Sequence, residues 1–159
     1  KDSDVLGQLN TLHTEGVKLV DPTDRSGAFR GRDKVHDHLV SMIKRAKKSI
    51  TLMTSKEGAD RKYDVLSNHL KRASKTGVDV RIAVPSSVSK ETVAQYGTFS
   101  VLKQFKSTNA RFCMIDGKEV LVFLTDDKKV HKSYDCAVWL DAPYFVDYFD
   151  KLFQNEWSK

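Results

Sequence analysis

The stretch STNARFCMIDGKEVLVFLT carries an Asn, an Arg and an Asp at the spacing N-x-R-x(4)-D: Asn109, Arg111 and Asp116. It departs in its first two letters from H-x-K-x(4)-D, a phosphodiesterase pattern. In that chemistry the His attacks phosphorus and carries a covalent intermediate, the Lys holds the phosphate and the Asp orients the imidazole. Asn109 cannot act as that nucleophile. Arg111 keeps the capacity to hold an anion, bidentately where geometry allows. Asp116 reads either as a partner for Arg111 or as the cap of an Asp116-Gly117 hairpin turn. After the second strand the pattern expects Gly-Ser, and this sequence has Phe123-Leu124. That places bulk where a phosphate needs close approach to the backbone. The stretch predicts a site that binds rather than cleaves.

The remaining chemistry-bearing residues form weaker constellations. His131, Lys132 and Asp135 have the spacing H-K-x-x-D and read as a loop leading into a strand. His36, His38 and His69 fall on polar or flanking positions of helices and read as solvated or structural. His36 and His38 are two apart, so they point to different helical faces and make a poor metal pair. Cys113 and Cys136 lie in apolar, strand-like runs without Cys/His ligand spacing. They predict reduced thiols packed as small hydrophobes, no metal site and a reducing cytoplasm. No Walker loop, G-x-S-x-G or G-x-G-x-x-G occurs, and no cofactor is expected.

The elements that position these residues follow from periodicity. Val5, Leu6, Leu9 and Leu12 share one face of a leading helix that ends near Gly16. KLVDPTDRSGAFRG suggests two short strands around a turn. GRDKVHDHLVSMIKRAKKS is amphipathic, with Val35, Leu39, Met42, Ile43 and Ala46 on one face, an acidic start and a basic end. SITLMTS is a strand, RKYDVLSNHLKRASKTG a helix and VDVRIAVP a second strand, which calls for a right-handed crossover and a parallel pair. SKETVAQYGTFSVLKQF reads as a third helix, with a possible break at Gly97. ARFCMI and EVLVFL form the hairpin, YDCAVWL a further strand and APYFVDYFDKLFQNEWSK an aromatic final helix.

With 159 residues, 40% apolar and 30% charged, the chain fits one soluble domain with a sizeable core. The formal charge of +6 permits anionic partners. Its basic clusters KRAKK, RKYDVLSNHLKR and KKVHK lack interleaved aromatics, so they read as solvated faces rather than a nucleic-acid platform. The longest apolar run, Val120 to Leu124, is too short for a membrane span. The sequence opens without Met or a signal-peptide pattern, as a processed or truncated chain would.

Taken as a set, the leading LNTLHTEG helix, GAFRGRDKVHDHLVSMIKRAKKSITLMTS, KRASKTGVDVRIAVP, ARFCMIDGKEVLVFL and DCAVWLDAPYFVDYFDKLFQNEW resemble a known family. That family is the C-terminal, phospholipase-D-like effector domain of archaeal TrmB-type transcriptional regulators. The resemblance implies an α/β fold, a phospholipase-D-like mixed sheet flanked by helices. It implies a linker or dimerisation helix over 1–16 and an effector domain over 17–159. It further implies a homodimer without catalysis, a small effector such as a sugar or anion, and DNA contact through a winged helix absent from this sequence. Independently of the family, ligands of open α/β sheets bind beyond the carboxyl ends of parallel strands. That rule selects Ser55 and Lys56 after one strand and Ser86 and Ser87 after the next, beside Asn109, Arg111 and Asp116. The rivals are a phosphodiesterase or nuclease completed across a dimer, and an interaction module with no small ligand.

Overall fold

Alternation of side chains along the strands divides the core into two layers. Along Ser49–Met53, Ile50 and Leu52 face one layer and Met53 the other; along Arg111–Ile115, Cys113 and Ile115 oppose Phe112 and Met114 in the same way. Successive strand residues point to opposite faces, so both faces of this sheet must be covered. The structure, a computed structural model, describes residues 25–106, 110–125 and 134–158. The expected leading helix over 1–16 lies outside them.

The strands are β1 (Arg25–Arg30), β2 (Ser49–Met53), β3 (Asp79–Pro85), β4 (Val101–Phe105), β5 (Arg111–Ile115), β6 (Glu119–Phe123) and β7 (Cys136–Asp141). The helices are α1 (Arg32–Arg45), α2 (Lys56–Lys75), α3 (Lys90–Gly97) and α4 (Pro143–Trp157). The sheet order is β1-β7-β6-β5-β2-β3-β4. β2, β3 and β4 are parallel, and the other pairs are antiparallel. The predicted parallel pair is therefore β2–β3. It is extended by an edge strand that corrects part of the expected third helix.

That strand is β4. The expected third helix stops at Gly97, and Val101–Phe105 pairs in parallel with Arg81–Pro85. Tyr96, Phe99, Leu102 and Phe105 recur every third residue, which imitates a helical face. Gly97 and the β-branched Thr98 and Val101 instead favour ending the helix, and β3 offers an open edge. Tyr96 and Phe99 are still buried in the same core layer, with Tyr96 donating to the carbonyl of Ala59.

α1, α2 and α3 contribute to the layer around Leu39, Leu66, Leu70 and Ile82, each with no exposed surface. Burying a Leu contributes about 2 kcal/mol, so this stripe fixes both long helices on the sheet. α4 covers the opposite face with Val146, Phe153 and Trp157. Pro143 at its start has no N–H to leave unsatisfied. Ser55 caps α2 by accepting from the amide of Gly58 at 3.0 Å, and Ser89 caps α3 through Thr92 at 3.2 Å. Cys113 and Cys136 are buried free thiols on strands separated by β6. Burial pushes the Cys113 thiol up to about 12, against the attraction of Lys62.

Candidate functional site

Arg111 opens β5 opposite Phe123 on β6, so the two side chains share the face covered by α1 and α2. The Arg111 guanidinium lies 5.7 Å from the Phe123 ring centre. From α2, the Lys62 ammonium lies 4.6 Å from the same ring and donates to Thr54 Oγ1 at 3.1 Å. Lys62 is 2% exposed, a rare state for a lysine. Its head fits because residue 58 is glycine. A Cβ there would stand 2.3 Å from Thr54 Oγ1 and 2.9 Å from the Lys62 nitrogen.

His36 and Arg61 complete this cluster from α1 and α2, with Thr125 and Asp135 at its margin. Asp135 is buried, pairs with Arg32 at 2.6 Å and lies 3.5 Å from Thr125 Oγ1. Burial, reinforced by Lys62, Arg61 and Arg32 and opposed by Asp135, lowers the His36 pKa to about 4. The imidazole is therefore neutral near pH 7. The space left among these groups is about 10 Å³, room for about one water. Phe123 occupies the position where the phosphodiesterase pattern requires a small residue.

The seven residues selected from the sequence do not converge. Arg111 belongs to the cluster. Ser55 and Lys56 begin α2 nearby, Ser55 as its cap and Lys56 exposed. Ser86 and Ser87 follow β3, and Ser86 binds the carbonyl of Phe105 through both its amide and its hydroxyl, at 2.7 and 2.9 Å. None of these four lines the space beside Arg111. Asn109 lies outside the described residues, as do His131 and Lys132. Asp116 sits at the far end of β5 from Arg111, five strand residues or about 17 Å away. Pairing with Arg111 is thus corrected to a capping role. The carboxylate accepts from the amides of Lys47, Lys48 and Ser49 at 2.7–3.1 Å.

The reading of RKYDVLSNHLKR as a solvated face is corrected at Lys62, which is buried, and Arg61 and His36, the latter expected to be solvated or structural, join it around one small space. Once Ser55 is taken as the cap, α2 starts at Lys56, and Ala59, Lys62, Leu66, Leu70 and Ala73 fall on one stripe. A lysine inside a core stripe was the available signal. His38 is the structural histidine expected: its ring stacks on Phe29 at 4.3 Å and meets Trp139 edge-on at 5.1 Å.

A family model for the N-terminal subdomain of the effector-binding domain (EBD) of the transcriptional regulator TrmB matches residues 28–159. The chain belongs to this family, as its sequence pattern had implied. Among solved structures, TrmBL2, described as an archaeal chromatin protein with a novel mode of DNA binding, aligns with a TM-score of 0.64 at 18% identity. The match covers 98% of this chain and 61% of TrmBL2, so this chain spans about three fifths of that protein. Nuc, a phospholipase D family member from Salmonella typhimurium, aligns with a TM-score of 0.66 at 20% identity over 87% of this chain and 95% of its own. NucT from Helicobacter pylori gives 0.65 at 14% identity over 83% and 94%. No curated protein matches the chain. The fold is thus phospholipase-D-like, a mixed seven-stranded sheet between helical layers.

Proposed function

We propose that this chain is the effector-responsive, dimerising part of a TrmB-type regulator and does not cleave phosphodiesters. DNA contact would come through another domain, in the cytoplasm. The observation that supports this most strongly is Phe123, flanked by Lys62 and Arg111 with about 10 Å³ of space left. A phosphodiesterase needs open room there for the phosphate and an attacking histidine at the position of Asn109. Arg111 keeps its charge but is held against an aromatic ring. The cationic cluster then serves as a fixed part of the core that joins β5, β6 and α2.

A dimer is supported by the outer face of α4. Tyr144, Tyr148 and Leu152 repeat at helical spacing and are 70%, 63% and 54% exposed. Light scattering is expected to give a dimer, and Tyr148→Glu with Leu152→Glu to give a monomer. A wild-type monomer at high concentration would remove dimerisation from the account. Effector response is tested by thermal shift against neutral sugars, nucleotides and phosphate. A reproducible rise in Tm with one class is expected from mass action. Silence with every class would favour an interaction module without a small ligand.

A further inference from the structure

Among the described residues, the opposite rim of the sheet is open. There a cavity of about 740 Å³ lies between the end of α1 and the β5–β6 turn. That is within the range of roughly 300–1,000 Å³ in which small organic ligands are held. Trp139 forms one wall, set in orientation by His38 on one side and by a hydrogen bond from its Nε1 to Glu119 at 3.0 Å. Glu119 and Asp141 are register partners on β6 and β7 and both are buried. Like charges facing across a ladder destabilise it, and buried carboxylates demand cations. Arg45 meets Glu119 at 2.5 Å, and Arg25 meets Asp141 at 2.9 Å, with Lys118 at 3.7 Å.

The loop on the other side is fixed as firmly. Asp116 adopts φ 57°, uncommon for a residue with a side chain, and grips the amides of residues 47–49. Lys44 and Lys47 stand exposed around the cavity. Trp139 also packs against the apolar core beside Leu121, so the core holds this wall of the cavity in place, while the ion pairs stand outside it.

We propose that this cavity binds a phosphomonoester carried on a ring, the phosphate against Lys44 and Lys47 and the ring against Trp139 beside Arg25, whose guanidinium lies 5.8 Å from the Trp139 ring centre. Five Lys or Arg line the cavity against three carboxylates, an excess of two positive charges. A phosphomonoester brings a charge of about −1.5 to −2. Sugar phosphates and nucleoside monophosphates share this chemistry. Its biological sense rests on the regulator reading above, while the binding itself does not.

The test is calorimetric titration of the whole chain with glucose 6-phosphate, AMP, inorganic phosphate and unphosphorylated glucose. Saturable binding is expected for at least one of the two ring phosphates, tighter than for inorganic phosphate or glucose. The first two probes separate a sugar from a nucleotide source. Lys44→Gln with Lys47→Gln, both exposed and placing no carboxylate at the carboxyl end of α1, should weaken binding by about tenfold or more. Trp139→Leu should bring the ring phosphates down to the affinity of inorganic phosphate. Absence of saturation at millimolar ring phosphate would overturn the proposal. So would equal affinity in the double lysine variant, or binding of duplex DNA through the same lysines without binding of the monomers. Phosphodiester hydrolysis, by contrast, would overturn the regulator reading and leave a positive titration standing.

Discussion

The two rims of the sheet have opposite designs. At the carboxyl ends of β2 and β3, cations crowd an aromatic ring and leave about 10 Å³. At the amino ends, cations and carboxylates frame a cavity of about 740 Å³. The first rim is where the fold and the motif direct attention, and it is filled. The second has no motif, and among the described residues it is open. A sequence pattern thus locates where chemistry sits in a fold family, while side-chain volume decides whether space for it remains.

The largest expected contrast comes from one glycine at each rim. Gly58→Val forces side-chain atoms onto Thr54 and Lys62. It should destabilise the protein by about 3 kcal/mol, a fall in Tm of roughly 10 °C in a thermal melt. Gly117→Ala meets nothing within 4 Å and suffers only from its φ of +65°. Its loss should be about 1 kcal/mol. Equal losses would erase the distinction between a packed and an open rim.

Asp116→Ala should cost about 2 kcal/mol, since a charged acceptor for three amides is lost. By NMR titration it should leave His36 untouched, because the two groups belong to different rims. A shift of His36 in this variant would couple them. Lys62→Met should do the reverse, raising the His36 pKa from about 4 while changing stability little, because a buried cation leaves together with its desolvation cost.

The last contrast is a pH dependence. His36 has a folded pKa below its unfolded value of 6.5, so the unfolded chain takes up the proton first. Its contribution to stability is complete above about pH 6.5 and is lost as pH falls toward about 4. His36→Gln should flatten the decline of Tm between pH 7 and pH 5. An unchanged slope would place His36 outside the cationic cluster.

Much of this was legible in the sequence. Strand alternation at Ile50–Met53 and Arg111–Ile115, the Asp116-Gly117 turn and the α1 stripe give the sheet and its flanking helices directly. β4 was not legible, because residues spaced by three fit a helical face and a turn-plus-edge-strand equally well. The filled site was half legible. Phe123 announced bulk, but Lys62 hid in a core stripe whose helix was started five residues late. Asp116 had two local readings; the extended β5 separates it from Arg111, and the pairing of β5 with β2 brings it to the amides of residues 47–49. The open rim had no local signature: Glu119, Trp139 and Asp141 meet through strand pairing with partners from α1 and β1.

With Phe123 filling the phosphodiesterase position, the chain is proposed to bind without cleaving. Hydrolysis of bis(p-nitrophenyl) phosphate by the purified chain tests it most directly. Release of p-nitrophenol is expected no faster than in buffer, for the wild type and for Arg111→Ala alike. Saturable turnover that disappears in Arg111→Ala would contradict it.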